Sequence, residues 1–187
     1  MAEHLQYISG LDAFQKALEE FPKNIAKNVL RGAVRAGAVV LQKEAISLAP
    51  VFDGTSDKRP DPGLLKRAIY QKQIPELSSD VKQTYFVGVR HGKNVTVKIK
   101  GNKVNADAYY WTWLEFGHFY VPRPPKGQTQ KVTREKAKTG SMTIWVEPHS
   151  FMRPAFAVAK GRAIQAMVDY MEKRIPLEAQ KLGLVMK

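Results

Sequence analysis

Tyr109-Tyr110-Trp111-Thr112-Trp113-Leu114-Glu115-Phe116-Gly117-His118 is the stretch around which this chain is organised. Five aromatics fall within its first eight positions, more than one helical face can hide in a small domain. Asp107 ahead of it reads as the N-cap of a short helix over 108–116, and Gly117 as its C-terminal stop. A second dense run follows at Pro148-His149-Ser150-Phe151-Met152-Arg153-Pro154-Ala155-Phe156. Filling the core accounts for about half of these rings. Aromatic-rich surface beyond that need is what protein–protein interfaces enrich.

Working outward, 10–21 carries Leu11, Phe14, Leu18 and Phe21 at helical spacing before Pro22. A longer helix is predicted over 23–48 from Ile25, Val29, Val34, Ala38, Leu41, Ala45 and Leu48. Its middle is rich in small residues (Gly32, Ala33, Ala36, Gly37, Ala38), which lets another element pack close. Residues 51–63 read as an inserted loop, and 64–74 as a strand whose first residues can form a helical turn. Tyr85, Val87 and Val89 alternate with Phe86, Gly88 and Arg90; Val95, Val97 and Ile99 alternate with Thr96, Lys98 and Lys100. The expectation is one antiparallel hairpin from these two strands, turning at 91–94 and ending at Gly101-Asn102, with a basic outer face.

Residues 119–146 form an inserted basic arm, read as an extended hairpin with a mobile tip. Pro154 suits the first turn of a last helix, whose stripe is read as Phe156, Ala159, Ala163, Ala166, Met167 and Tyr170. Pro176 is expected to interrupt it, leaving 177–187 as a frayed tail. The whole reads as a single domain over 1–187 of class α+β: a small antiparallel β-sheet packed by a long N-terminal helix and a C-terminal helix, with a long basic hairpin arm.

Composition narrows the function. With 187 residues and 44% hydrophobic content, the chain can bury a sizeable core. There are no cysteines, so disulfides and thiolate chemistry are excluded. No apolar run approaches a membrane span and the N-terminus lacks a signal-peptide pattern, from which a soluble, cytoplasmic protein without a membrane partner is expected. The net charge is +13. Residues 58–138 hold 17 Lys/Arg and 6 Asp/Glu, and 17 − 6 leaves +11 in that segment. Such a field favours a polyanion.

Catalytic patterns are not found. Glu115 and His118 stand at i, i+3, with His149 as a conceivable third ligand, but bundle metal sites use two such pairs on long facing helices. Cap or interface roles are the better reading, and neither a metal nor another cofactor is expected. There is no phosphate-cradling loop, nucleophile elbow or paired-carboxylate signature, so an enzyme is not expected.

Several separated pieces together resemble the tail-completion or head–tail joining (neck) proteins of long-tailed, lambda-like bacteriophages. Gly10-Leu11 with Leu18 and Phe21-Pro22 resembles that family's opening helix, and the small-residue helix ending at Ala49-Pro50 its second. Pro62-Gly63-Leu64-Leu65 resembles its Gly-x-Leu turn, Trp113-Leu114-Glu115-Phe116-Gly117 its aromatic-aliphatic-Glu-Phe-Gly motif, and Phe151-Met152-Arg153-Pro154-Ala155 its Phe-x-x-Pro-Ala motif. The chain departs from the pattern at Trp111, at His118, and in insertions over 51–61 and 119–143.

The resemblance implies a non-enzymatic virion protein that forms a homo-oligomeric ring, six subunits being the expected number, at the neck or head-proximal end of the tail tube. Its partners would be itself, adjacent neck and tail-tube proteins and, as a further candidate, double-stranded DNA in the lumen. It would assemble in the host cytoplasm. Subunit contacts are expected from Tyr109, Trp111, Trp113, Glu115, Phe116, Phe151, Arg153 and Phe156, with Glu115 a partner for Arg153. DNA- or partner-facing cations are expected at Lys98, Lys100, Arg123, Lys126, Lys131, Arg134, Lys136 and Lys138. The alternative is a free, sequence-independent nucleic-acid-binding protein stacking bases on Tyr and Trp. The clustering of the aromatics in 109–120, away from most lysines, weighs against it.

Overall fold

The structure, a computed structural model, describes residues 15, 19, 21–51, 62–92, 95–122 and 143–183. Two helices dominate: α1 (Lys23–Leu48) and a second that runs Met152–Lys181. The expected helix over 10–21 lies outside the described residues except at Gln15, Glu19 and Phe21. The first two are helical and joined by a hydrogen bond from Gln15 Nε2 to Glu19 Oε1 of 3.0 Å. Between the long helices come α2 (Leu64–Ala68), β1 (Ile69–Gln73), a 3₁₀ turn (Pro75–Leu77), β2 (Tyr85–Val89), β3 (Thr96–Ile99), β4 (Asn102–Asn105), α3 (Trp111–Phe116), β5 (His118–Tyr120) and β6 (Ile144–Val146); the last long helix is then α4. The class is α+β with small antiparallel sheets. Among the described residues, no helix is long and apolar enough to cross a membrane.

Contacts divide the chain into two units that interleave along the sequence: 1–44 with 71–88 and 158–187, and 45–70 with 89–157. In the first, Phe21, Val29 and Ala33 bury against Met171, Ile175 and Ala179. Small residues make this approach possible. A Cβ at Gly32 would fall inside the Tyr170 ring, and one at Gly37 would meet Met167 and lie 3.1 Å from the Ala163 carbonyl oxygen. The close packing expected of the small-residue run is thus present. Arg162 bonds Glu44 at 2.6 Å and Lys27 pairs with Asp80 at 3.0 Å in the same unit.

Two expectations for α4 are corrected here. Pro176 does not interrupt the helix, which continues to Lys181. The missing N–H and ring clash cost about 3 kcal/mol, but Ile175 and Ala179 on either side are both buried to 1% exposure and offset it. Of the expected stripe, Ala159 and Ala163 are buried and Met167 and Tyr170 pack against the core, and Ala155, Val168, Met171, Ile175 and Ala179 are buried with them. Phe156, one position after Ala155, points outward instead. Pro154 does stand in the first turn.

In the second unit, Phe151 is fully buried among Ala45, Ala49, Leu65, Ala68, Ile69, Val89, Ala108 and Ala155. Here α2 is the helical turn allowed at the head of 64–74, and β1 follows directly.

The expected hairpin between 85–89 and 95–99 is also corrected. β2 pairs with β1: the Ile74 N–H donates to Thr84 O and the Arg90 N–H to Ala68 O, both at 2.9 Å, with paired numbers running in opposite senses. β3 pairs antiparallel with β4, with Val97 opposite Val104 and Lys98 opposite Lys103. Its turn is Lys100-Gly101, with φ of 49° and 86°. Two successive left-handed residues match the twist of a two-residue hairpin turn. Lys is an unusual occupant of that conformation, so the sequence points to the Gly92-Asn94 cluster instead.

Candidate functional site

The two aromatic-dense runs, 109–118 and 148–156, meet in the second unit, and Glu115 joins them. Its side chain leaves the end of α3 and lies buried, 1% exposed, over the first residues of α4. Oε2 accepts the backbone N–H groups of Phe151 and Met152 at 2.8 and 2.9 Å. Oε1 accepts the Arg153 backbone N–H at 3.0 Å and the Arg153 Nε–H at 3.1 Å. The opening N–H groups of a helix have no partner inside it and carry a partial positive charge. A carboxylate usually caps them from the residue just before the helix; here it comes from a residue 36 positions earlier.

The connection is reciprocal. The last carbonyls of α3 also lack partners within their own helix. The Leu114 oxygen accepts the His149 N–H at 2.7 Å, and the Glu115 oxygen accepts Ser150 Oγ at 2.8 Å and Arg153 Nη2 at 2.7 Å. Burial alone would raise the Glu115 pKa. The backbone hydrogen bonds from Met152, Phe151 and Arg153, with the Arg153 side chain, outweigh it and hold the carboxyl below the ordinary glutamate value.

Gly117 makes the geometry possible. Its φ of 73° and ψ of 171° lie in a region essentially restricted to glycine. A Cβ there would meet the Trp145 ring and sit 2.8 Å from the Val146 carbonyl oxygen. Gly117 stops α3, as expected, and sends the chain into β5, which pairs antiparallel with β6. Asp107, by contrast, does not cap α3: Tyr110 holds that position without a side-chain hydrogen bond. Asp107 Oδ1 accepts the Gly92 N–H at 2.9 Å instead.

The aromatics divide by helical face. Tyr110, Trp111 and Leu114 pack on the Phe151 core, and Trp111 stacks on His91 at 6.3 Å between centroids. Tyr109, Trp113 and Phe116 are 58%, 49% and 57% exposed. Tyr109 meets Trp113 edge-on at 5.9 Å, Trp113 stacks on His118 at 5.4 Å, and the Arg153 guanidinium lies 5.1 Å from the Phe116 ring centre. The base of the arm adds Phe119 against Trp145 at 4.9 Å, both exposed, and Tyr120, Ile144 and Val146 beside them are exposed too.

Of the expected contact residues, therefore, Tyr109, Trp113, Phe116, Arg153 and Phe156 are outward, Trp111 is half-buried, and Glu115 and Phe151 are inside. Lys98 and Lys100 stand exposed on the β3–β4 ribbon. Arg123, Lys126, Lys131, Arg134, Lys136 and Lys138 lie outside the described residues, as does the tip of the arm. The hairpin expected over 119–146 is present at its base as the antiparallel pair β5–β6, while sequence reasoning misses Ser150 and Lys103.

Among the described residues no group of His, Asp and Glu is arranged to hold a metal ion, and both Glu115 oxygens are occupied by N–H donors. One family model matches the chain, over residues 12–117, with the description "Bacteriophage HK97-gp10, putative tail-component". No curated protein and no solved structure matches. The matched span covers more than half of the chain and ends at the Glu-Phe-Gly motif.

Proposed function

The chain belongs to the HK97-gp10-like family of bacteriophage tail components, and from that premise we propose that it is a structural virion subunit that closes with copies of itself into a ring. The ring, of six subunits, sits at the neck or head-proximal end of the tail and joins head connector to tail around the DNA channel. It performs no catalysis. The observation that supports this most is the outward set Tyr109, Trp113, Phe116 and Phe156, large rings held exposed by a rigid support. Rings require heterologous contacts, one patch meeting a different one on the next copy. Tyr109, Trp113 and Phe116 supply one patch, backed by Glu115 and Phe151 from within. Phe156, outward on α4, belongs to the other.

Light scattering on the purified protein, followed by electron microscopy, tests the proposal. Rings are expected, and Trp113→Ala with Phe116→Ala should shift them to smaller species. A protein that stays monomeric at every concentration and salt, and that is unaffected by those substitutions, would overturn it.

A further inference from the structure

The β3–β4 ribbon carries lysines on its polar face that make no ion pair among the described residues. Its register sets Lys98 directly opposite Lys103 and Thr96 opposite Asn105 on one face, while Val97 and Val104, half-buried, occupy the other. Lys98, Lys100 and Lys103 are exposed, and among the described residues none of them is ion-paired to a carboxylate. Like charges opposed across two strands destabilise a hairpin. Lys100 adds a second local cost, since at φ 49° it fills a position that Asn, Asp or Gly takes more readily. Two unfavourable choices are thus carried for cations that pair with no carboxylate among the described residues. From 81 to 106 the chain has Lys82, Arg90, Lys93, Lys98, Lys100 and Lys103 and no Asp or Glu, and the acids that flank this run are engaged elsewhere, Asp80 with Lys27 and Asp107 with the Gly92 N–H.

We propose that this ribbon is a contact for the sugar–phosphate backbone of double-stranded DNA. Lys98 and Lys103 reach neighbouring phosphates, and Lys100 reaches a further one from the turn. Opposed residues of an antiparallel pair lie about 5 Å apart at Cα, and lysine stems can spread from there to successive phosphates. The chemistry selects among polyanions. The ribbon carries no aromatic ring, so it offers single strands no stacking platform. Its cations are lysine point charges rather than planar arginine forks, which suits phosphate neutralisation more than bidentate reading of base edges. Binding is therefore indifferent to sequence. The inference rests on the tail-component reading for its setting, yet its test does not require a ring.

Fluorescence anisotropy of the full chain with a random-sequence duplex, across a salt series, decides it. Affinity should fall steeply with salt. Lys98→Gln with Lys103→Gln should lower affinity at low salt roughly tenfold and make the log–log salt slope shallower by about 1 per lysine. Lys98→Arg with Lys103→Arg should keep both. Lys160→Gln with Lys173→Gln, which removes equal charge from exposed positions on α4, should leave the slope unchanged. The proposal is overturned by equal slopes for the two Gln pairs, by no duplex binding at low salt, or by single strands or polyglutamate competing as well as duplex. Light scattering on the same samples separates this result from ring formation.

Discussion

Glu115 holds Arg153 twice with one oxygen: Oε1 accepts both its backbone N–H and its Nε–H, at 3.0 and 3.1 Å. The backbone contact completes a helix cap, and the side-chain contact neutralises a buried charge. Replacing Glu115 removes both at once. Glu115→Ala should destabilise the protein by about 3 kcal/mol, the range for leaving buried donors without partners. Glu115→Gln, which keeps one acceptor, should cost about 2 kcal/mol. Urea denaturation checks both, and a loss below ~0.5 kcal/mol for Ala would show that water replaces the cap without penalty.

The same carboxylate predicts a pH dependence. Its pKa is lower folded than unfolded, so its stabilisation is fully present above the ordinary glutamate value of 4.5 and is lost as pH falls through the depressed folded value. The difference in Tm between the wild type and Glu115→Gln should be constant at neutral pH and narrow progressively below about 4.5. A gap that stays constant into strong acid contradicts the assignment.

Gly117 and Gly161 make a contrasting pair. Gly117→Ala places a methyl group against the Val146 oxygen in a glycine-only conformation and should cost about 2–3 kcal/mol. Gly161 lies inside α4, where an added methyl group would meet nothing within 4 Å, so Gly161→Ala should stabilise by about 1 kcal/mol. Thermal melts of the two single variants should move in opposite directions.

Gly32 and Tyr170 should be coupled. Gly32→Ala forces the Tyr170 ring from its place and should cost about 1–3 kcal/mol despite the better helix propensity of alanine. In a Tyr170→Ala background the same change should become neutral or stabilising. A double-mutant cycle with no interaction energy would place the ring elsewhere in solution.

Surface and core aromatics should separate cleanly. Phe151→Ala empties a fully buried site and should cost about 3–5 kcal/mol. Trp113→Ala removes a half-exposed ring and should cost about 1 kcal/mol, its main effect falling on self-association.

Much of this is legible from local pattern. The 3.6-residue period over 23–48, the glycine-rich middle of that helix and the stop at Gly117 are features that neighbouring residues impose on one another, and all three appear as read. What escapes is set by residues far apart. Nothing near Lys100 announces a left-handed lysine, so local pattern assigns the ribbon to the wrong strand pair. Pro176 breaks an isolated helix but not one whose flanking Ile175 and Ala179 are buried. Phe156 has the stronger apolar claim, yet Ala155 faces the core because only a small residue fits there beside Phe151. The partnership of Glu115 with Arg153 can be suspected from residue types. The threefold backbone grip cannot, because N–H groups leave no trace in a sequence.

Between Gly117 and Ser150 the chain departs and returns through a single anchorage. Ser150, His149 and Glu115 fasten its two ends within hydrogen-bonding distance of each other, and β5 and β6 run out from there side by side. Because closing a longer excursion between fixed ends costs only slowly more entropy, whatever lies beyond the strands can be lengthened, shortened or exchanged with little strain on the body that bears it. The anchorage formed by Glu115, His149 and Ser150 is in this sense a socket for an exchangeable insert.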